Sequence, residues 1–372
     1  MMTFRNLLLF VIVVLSTALP ASAQTRWTPE RAAAWHKEKG WLAGSNFIPS
    51  TAINQLEMWQ ADTFDEATID RELAWAEGLG FNSMRVFLHD LLWKQDSAAF
   101  LQRIDRFLGI ADRHHIGVML VFFDGVWDPR PEPGKQRPPK PHVHNSGWVQ
   151  SPGAAILSNP QRHAELRPYV QGVMRHFRTD KRIHAWDLFN EPDNENTDAY
   201  GKQELADKSE KALVLLRSVF AWAREINPDQ PLTVGVWRGE DFSDAGPKTA
   251  VGRVALEESD VISFHAYNDA KGVEQRIAVL RRHGRPVLCT EYLARSFGNT
   301  IQAVLPVLKA NNVGAYTWGL VDGKTQTIYP WSSWTKPFTA APPVWHHDLF
   351  RANGTPFDEA ELRLIRSLTG KK

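Results

Sequence analysis

Apolar residues recur along this chain in eight short blocks of strand character, and most blocks are followed by a longer segment whose apolar positions repeat every three or four residues. The strand blocks fall at 41–47, 82–88, 117–123, 184–190, 231–236, 260–265, 286–291 and 313–318. Helical periodicity follows at 66–78, where Ile69, Leu73 and Ala76 share a face, and then at 97–114, 160–177, 204–226, 273–282, 299–310 and 358–367, with a less regular stretch after the fifth strand. Strand and helix in alternation specify a parallel sheet, because a parallel neighbour can be reached only through a crossover connection. Eight such units in 372 residues predict the α/β class and a (β/α)8 TIM barrel, which needs about 250 residues and accepts long loops.

Two of the strands end on glutamate. The fourth passes through Trp186, Asp187, Leu188 and Phe189 into Asn190, Glu191 and Pro192. Proline cannot continue a ladder, so Glu191 is predicted where strand gives way to loop. The seventh ends in the same way, with Glu291 followed by Tyr292. In a barrel of this kind the chemistry sits at the C-terminal ends of the strands. A single glutamate is usually an exposed or salt-bridged surface group; two on separate strand ends predict carboxylates that work as a pair.

The loops add detail. Residues 128–141, rich in Pro, Arg and Lys, look like an interdomain linker, but they interrupt a repeating unit directly after the third strand and are better read as a stiff wall of the barrel mouth. A second insertion, 321–346, follows the eighth strand and carries Trp331, Trp334 and Trp345. We therefore read 24–372 as one domain with extended loops after strands 3 and 8. Residues 1–23 have the form of a signal peptide: Arg5, an apolar run over 7–19, then Ala21, Ser22 and Ala23. The run is shorter than the ~20 residues of a membrane-spanning helix. The expectation is a protein secreted or delivered to the periplasm, with no membrane anchor after processing. A net charge of +1 gives no reason to expect nucleic acid as a partner, and a monomer is expected. Cys289 stands alone, so no intramolecular disulfide can form, and its place in a strand suggests packing. Fifteen tryptophans, many in loops after strands, suit either barrel packing or stacking against the flat C–H faces of sugars.

The motifs WDLFNEP at 186–192 and VLCTEY at 287–292, in that order on the fourth and seventh strands, resemble the acid/base and nucleophile motifs of clan A glycoside hydrolases and are most similar to family 5, the cellulase-like family. The resemblance covers nearly the whole chain after residue 23 as architecture and is sharp at the motifs. It implies a retaining β-glycoside hydrolase acting on carbohydrate by double displacement, with Glu191 as general acid/base, Glu291 as nucleophile, and no cofactor or metal. It also implies that Arg85 keeps the nucleophile ionised and that Asn190 donates to the sugar 2-hydroxyl. His265 and Tyr267 resemble the clan's His-x-Tyr after the sixth strand, which implies that both belong to the substrate site and that Tyr267 would hydrogen-bond the nucleophile, while Trp318 would form a platform beneath the sugar. Tyr292 is a lesser candidate.

His89, Asp124, His144 and Asn145, after the second and third strands, and Asn46, after the first, are further candidates for contacting substrate hydroxyls. A lone histidine is as often a satisfied structural group. Trp127 and Trp148 are candidates for stacking or for pinning the third loop. His142 and His144 have no cysteine or carboxylate cluster that would complete a metal site. The third loop is longer and richer in proline than in the simplest family 5 endoglucanases. With the eighth-strand insertion it predicts a pocket-like or exo-acting site. Two rival readings use the same residues: a non-catalytic carbohydrate-binding barrel, and a transglycosylase working through the same intermediate. A serine hydrolase is excluded by the absence of a Gly-x-Ser-x-Gly elbow.

Overall fold

The computed structural model describes residues 25–238 and 249–371; the expected signal peptide lies outside them. Its strands are β1 (Ala43–Asn46), β2 (Ser83–Phe87), β3 (Gly117–Asp124), β4 (Ile183–Asn190), β5 (Leu232–Thr233), β6 (Gly235–Val236), β7 (Ile262–His265), β8 (Val287–Tyr292) and β9 (Gly314–Trp318). All pairings are parallel, in the order β5-β4-β3-β2-β1-β9-β8-β7-β6. The two ends of this order are neighbours in the chain, separated only by Val234. β5 pairs with β4 and β6 pairs with β7, so one split strand brings the sheet round into a nearly closed barrel. Each predicted strand block overlaps its strand, with β3, β4 and β8 running one residue beyond theirs, and the fifth block holds two halves.

The helices are α1 (Pro29–Lys39), α2 (Gln55–Trp59), α3 (Glu66–Gly78), α4 (Asp90–Arg113), α5 (Ala154–Leu157), α6 (Arg167–His176), α7 (Lys208–Ile226), α8 (Ala250–Glu258), α9 (Ala270–Leu280), α10 (Ile301–Ala310) and α11 (Glu359–Thr369). None is long and apolar enough to cross a membrane among the described residues. α4 starts earlier than its periodicity predicts. It breaks at Asp96 (φ −161°, ψ 93°), whose carboxylate accepts from Ala99 N at 3.0 Å, so the predicted helix from 97 is a freshly capped segment behind a separate first turn. The predicted helix over 160–177 opens as a tighter 3-10 stretch, Pro160–Leu166, before α6.

α1 was not predicted, because only Ala32 and Trp35 are buried in its eleven residues and the apolar signal is thin. It closes the lower end of the barrel. Trp27, Ala32 and Trp35 pack on Leu42, Met119, Ala185, Val261, Leu288 and Tyr316. Outward-facing strand residues such as Met84, Val86, Leu120 and Trp186 meet the surrounding helices in the main core. Above the lower plug the barrel interior turns polar around Arg85 and Asp187, both fully buried.

Candidate active site

At the upper end the backbone itself aims the two glutamates. Glu191 follows the last residue of β4 with φ +40°, a left-handed conformation that a side chain bearing Cβ adopts at a cost. Gly125 holds it there: Gly125 N donates to the Asn190 carbonyl at 2.8 Å, and a Cβ on Gly125 would lie 2.3 Å from the Glu191 carbonyl oxygen. Glu291 arrives by another device. With Leu288 facing into the barrel, strict alternation would send residue 291 outwards. The register of β8 shifts between Cys289 and Tyr292 against β9, and that of β7 shifts at His265 against β8. This bulge turns Glu291 inwards.

The carboxyl groups meet there, each with its own partners. Glu291 accepts from Arg85 Nη1 at 2.9 Å through Oε1 and from the Tyr267 hydroxyl at 2.7 Å through Oε2. Glu191 accepts from Asn194 Nδ2 at 2.7 Å, and its other oxygen lies 2.6 Å from His265 Nδ1. His265 Nδ1 is also 3.5 Å from Glu291 Oε2. One donor atom from each of Glu191, His265 and Glu291 lies within 4.8 Å of the others, the one set among the described residues close enough to embrace a metal ion. Those atoms are already engaged by one another and by Arg85, Tyr267 and Asn194.

Arg85 organises the floor. Its guanidinium is fully buried, and it reaches Asp187 Oδ2 through Nε (2.9 Å) and Nη2 (2.8 Å), Asn46 Oδ1 (2.8 Å), Asn190 Oδ1 (2.7 Å) and Glu291. A buried cation is tolerated only with such full pairing. Burial pushes Glu191 up to about 7, against the opposing pull of Asn194 and Arg85. Burial also raises Glu291, with His265, Arg85 and Tyr267 acting downwards and Glu191 upwards. Two carboxyl groups this close do not ionise together. The direct contact with Arg85 favours the charged form of Glu291 over that of Glu191. Burial keeps His265 neutral by lowering it to about 4 and holds Tyr267 protonated, as a donor.

A cleft of ≈520 Å³ opens above this floor. Among the predicted residues it is lined by Asp124, Trp127, His144, Asn190, Glu191, Tyr267, Glu291 and Trp318. Trp127 stacks on Trp334 with centroids 5.9 Å apart at 20°, and lies 5.4 Å from the His144 ring. Asp124, pushed up to about 6 by burial, accepts from Asn190 Nδ2 (3.0 Å), Trp148 Nε1 (2.6 Å) and Val126 N (3.0 Å), so it positions as much as it lines.

Several predicted contacts are placed elsewhere. His89 is buried as the N-cap of α4, with Nδ1 accepting from Leu91 N at 3.2 Å and Nε2 3.0 Å from the Gln150 carbonyl. Asn46 spends its amide on the Thr290 and Thr317 carbonyls and on Arg85. Asn145 borders a separate ≈20 Å³ void beside Trp318. Trp148 stands edge-on to Phe87 and Trp318 while holding Asp124. Tyr292 and Cys289 are in the outer core. Strand ends point both up into the cleft and sideways into the loops, and the hydropathy pattern does not separate the two. The reading also missed residues. Trp237, which lines the cleft with Arg238 and residues 194–199, directly follows β6 and was open to the same strand-end argument as Glu191. Trp331 and Trp334 were noted in their insertion without a place in the site, and Asn194 carried no signal.

A family model described as cellulase, glycosyl hydrolase family 5, matches residues 46–324. Curated protein sequences give no match. Among solved structures, an endo-β-1,4-mannanase from Thermotoga petrophila is similar with TM-score 0.57 at 16% identity, over 90% of this chain and 77% of that one. A β-1,4-mannanase from the sea hare Aplysia kurodai gives 0.54 at 16%, over 75% and 88%. A family 5 subfamily 18 protein from Bifidobacterium longum in complex with Manβ1-4GlcNAc gives 0.57 at 13%, over 89% and 78%. With the family model matching well over half of its length, the chain belongs to glycosyl hydrolase family 5 and is a glycosidase built on a TIM barrel.

Proposed function

We propose that this glycosidase is an exported, monomeric, retaining enzyme that cleaves β-mannosidic bonds near chain ends, with Glu291 as nucleophile and Glu191 as general acid/base. The observation that carries this reading is the approach of the two carboxyl groups, whose donor atoms lie within 4.8 Å of one another. Retaining pairs stand about 5–5.5 Å apart, whereas inverting pairs stand about 6.5–9.5 Å apart to admit a water. In the first step a Glu291 oxygen bonds to the anomeric carbon as the glycosidic C–O bond breaks, and the Glu191 proton passes to the departing oxygen. Ester formation removes the charge of Glu291, and with it the like-charge repulsion that helps keep Glu191 protonated. Glu191 then takes a proton from water, whose oxygen attacks the anomeric carbon and frees Glu291. Asn190 gives one amide hydrogen to Asp124 and has the other for the sugar 2-hydroxyl, while Trp318 lies beneath the ring.

The mannosidic linkage is supported by the similar structures, two of them β-1,4-mannanases and one bound to Manβ1-4GlcNAc. Action near chain ends is supported by Trp127, His144 and Trp334, which line the cleft from the two long loops, with Trp127 stacked on Trp334. Export rests on the form of residues 1–23, and the monomer carries over the expectation from the sequence. The test is intact mass and peptide mapping after incubation with 2-deoxy-2-fluoro-β-mannosyl and -β-glucosyl fluorides. The expected result is an adduct on Glu291 that forms faster in the manno series. Turnover of mannan with no adduct, or with one on another residue, would overturn the mechanism. Equal release of mid-chain fragments from mannan would overturn action near chain ends.

A further inference from the structure

Lys208, the first residue of α7, is the only lysine buried among the described residues, and its side chain is 0% exposed. Two costs oppose a cation there. Burial disfavours its charge, and the start of a helix already carries the positive end of the helix dipole. Glu204, itself buried, offsets them by accepting from Lys208 Nζ at 2.5 Å. A buried ion pair of this kind adds little stability over an apolar pair of the same size, so its role has to be sought in what else it holds.

Lys208 Nζ also donates to the Gly125 carbonyl. Gly125 is the residue on which the Glu191 backbone rests: its N–H donates to the Asn190 carbonyl at 2.8 Å, and its missing Cβ admits the Glu191 carbonyl. The lysine thus pins one side of a turn whose other side holds Glu191 in its left-handed conformation. The Glu204 carboxylate extends the network. Its Oε2 accepts from Gln150 Nε2 at 2.6 Å, and Gln150 Nε2 donates to the Trp127 carbonyl at 3.0 Å. The pair therefore ties the start of α7 to both ends of residues 125–127. Neither Lys208 nor Glu204 lines the cleft, so the pair acts through the groups it holds.

We propose that Lys208 is a positioning residue for the acid/base: through the Gly125 carbonyl it fixes the turn that supports Glu191, and so aims the carboxyl group at the departing oxygen. The proposal rests on the assignment of Glu191 as acid/base. The charge of Lys208 reaches Glu191 as well. Burial raises Glu191, while Arg85 and Lys208 act downwards and Asp193 upwards. Asp124, His265, Tyr267 and Glu291 also face Glu191.

The test is the ratio of kcat/KM for β-1,4-mannotriose, whose departing oxygen needs a proton, to that for β-mannosyl fluoride, which needs none. The ratio cancels any loss of folded enzyme, and the gluco-configured pair is run in parallel. It is measured in the parent, in Lys208→Met, and in Lys208→Met combined with Glu204→Gln, which leaves no unpaired charge in the core. Loss of the Gly125 contact should lower the ratio about 10- to 100-fold in both variants. In Lys208→Met the alkaline limb of the mannotriose profile should also move to higher pH, because a positive charge that favours ionised Glu191 has gone. An unchanged ratio, whether the two rates hold or fall together, would overturn the proposal and leave the pair as a packing element of α7. A limb that stayed in place would overturn it too, since Lys208 would then not act on Glu191. Glu191→Gln in the same assay reads the underlying assignment separately: a ratio at the parent value there would remove the basis of the proposal whatever the Lys208 variants did.

Discussion

At the lower end of the barrel β3, β4 and β8 turn Met119, Ala185 and Leu288 inwards against Trp27 and Trp35. At the upper end the same three strands deliver Asp124, Asn190 and Glu291 to a cleft. The lower end is stabilised by removing apolar area from water, at roughly 25 cal/mol per Å², and α1 seals it. The upper end takes charges out of water and recovers the cost only through complete pairing, as Arg85 does with four partners. One end is therefore tolerant in chemistry and strict in volume, while the other is strict in chemistry because its buried charges depend on specific partners, as Glu291 does on Arg85 and Tyr267. Substitutions that separate these two kinds of dependence test the comparison directly.

The largest effect is expected at Glu291. Glu291→Gln should lower kcat by about 10⁴-fold or more, because no covalent intermediate forms. Steady-state rates on mannotriose check this, together with loss of the fluorosugar adduct. Glu191→Gln should lower kcat/KM by about 10²–10⁴-fold on sugar leaving groups and much less on β-mannosyl fluoride, which needs no proton to depart. The pH profile sharpens the point. As the proposed acid Glu191 must be protonated, and burial raises it to about 7, so parent activity should fall as pH rises through about 7, and the Gln variant should lack that limb. Burial raises Glu291 as well, so the acid-side fall should begin above the ordinary glutamate range.

Arg85→Ala should cost about 3–5 kcal/mol of stability by leaving Asp187 buried beside no cation, and activity should fall with it. Arg85→Lys keeps the charge but not the fork that reaches Asp187, Asn46, Asn190 and Glu291 together, so it should recover little activity. Denaturant unfolding alongside kcat measures both. Full recovery by lysine would mean that charge alone matters at the upper end.

The same contrast explains what could be read in the sequence. The eight strands and the pair of glutamates were legible because apolar runs and the break at Pro192 are local signals. Arg85 was legible because a cation in the middle of an apolar strand must be paired. The bulge that turns Glu291 inwards was not, since it is a property of three strands in register. Neither was the difference between Asp124, which lines the cleft, and His89, which caps α4; both follow strands and differ only in direction. The lower plug was missed because α1 contributes two buried side chains and relies on the barrel for the rest. Trp237 was missed although its strand-end position carried the signal.

The smallest effect on catalysis, and the sharpest test of the comparison, is expected at Leu288. It is fully buried in the lower plug, and its Cδ2 lies 2.5 Å from where a Cβ on Gly314 would stand. The leucine therefore fills the gap left by glycine on the neighbouring strand. Leu288→Ala should cost about 2–5 kcal/mol, read by denaturant unfolding, and leave kcat on mannotriose close to the parent value. Gly314→Ala alone should also destabilise, because the added methyl meets the leucine. The double variant should be more stable than the sum of the two single losses predicts, since each change opens the space the other needs. Leu288 and Glu291 share β8, so a fall in kcat that tracked the loss of stability would mean that lower packing transmits to Glu291 along that strand. A stable protein with an unaltered kcat would mean that the bulge below Glu291 separates the two ends, and that the upper site is held by its own polar network.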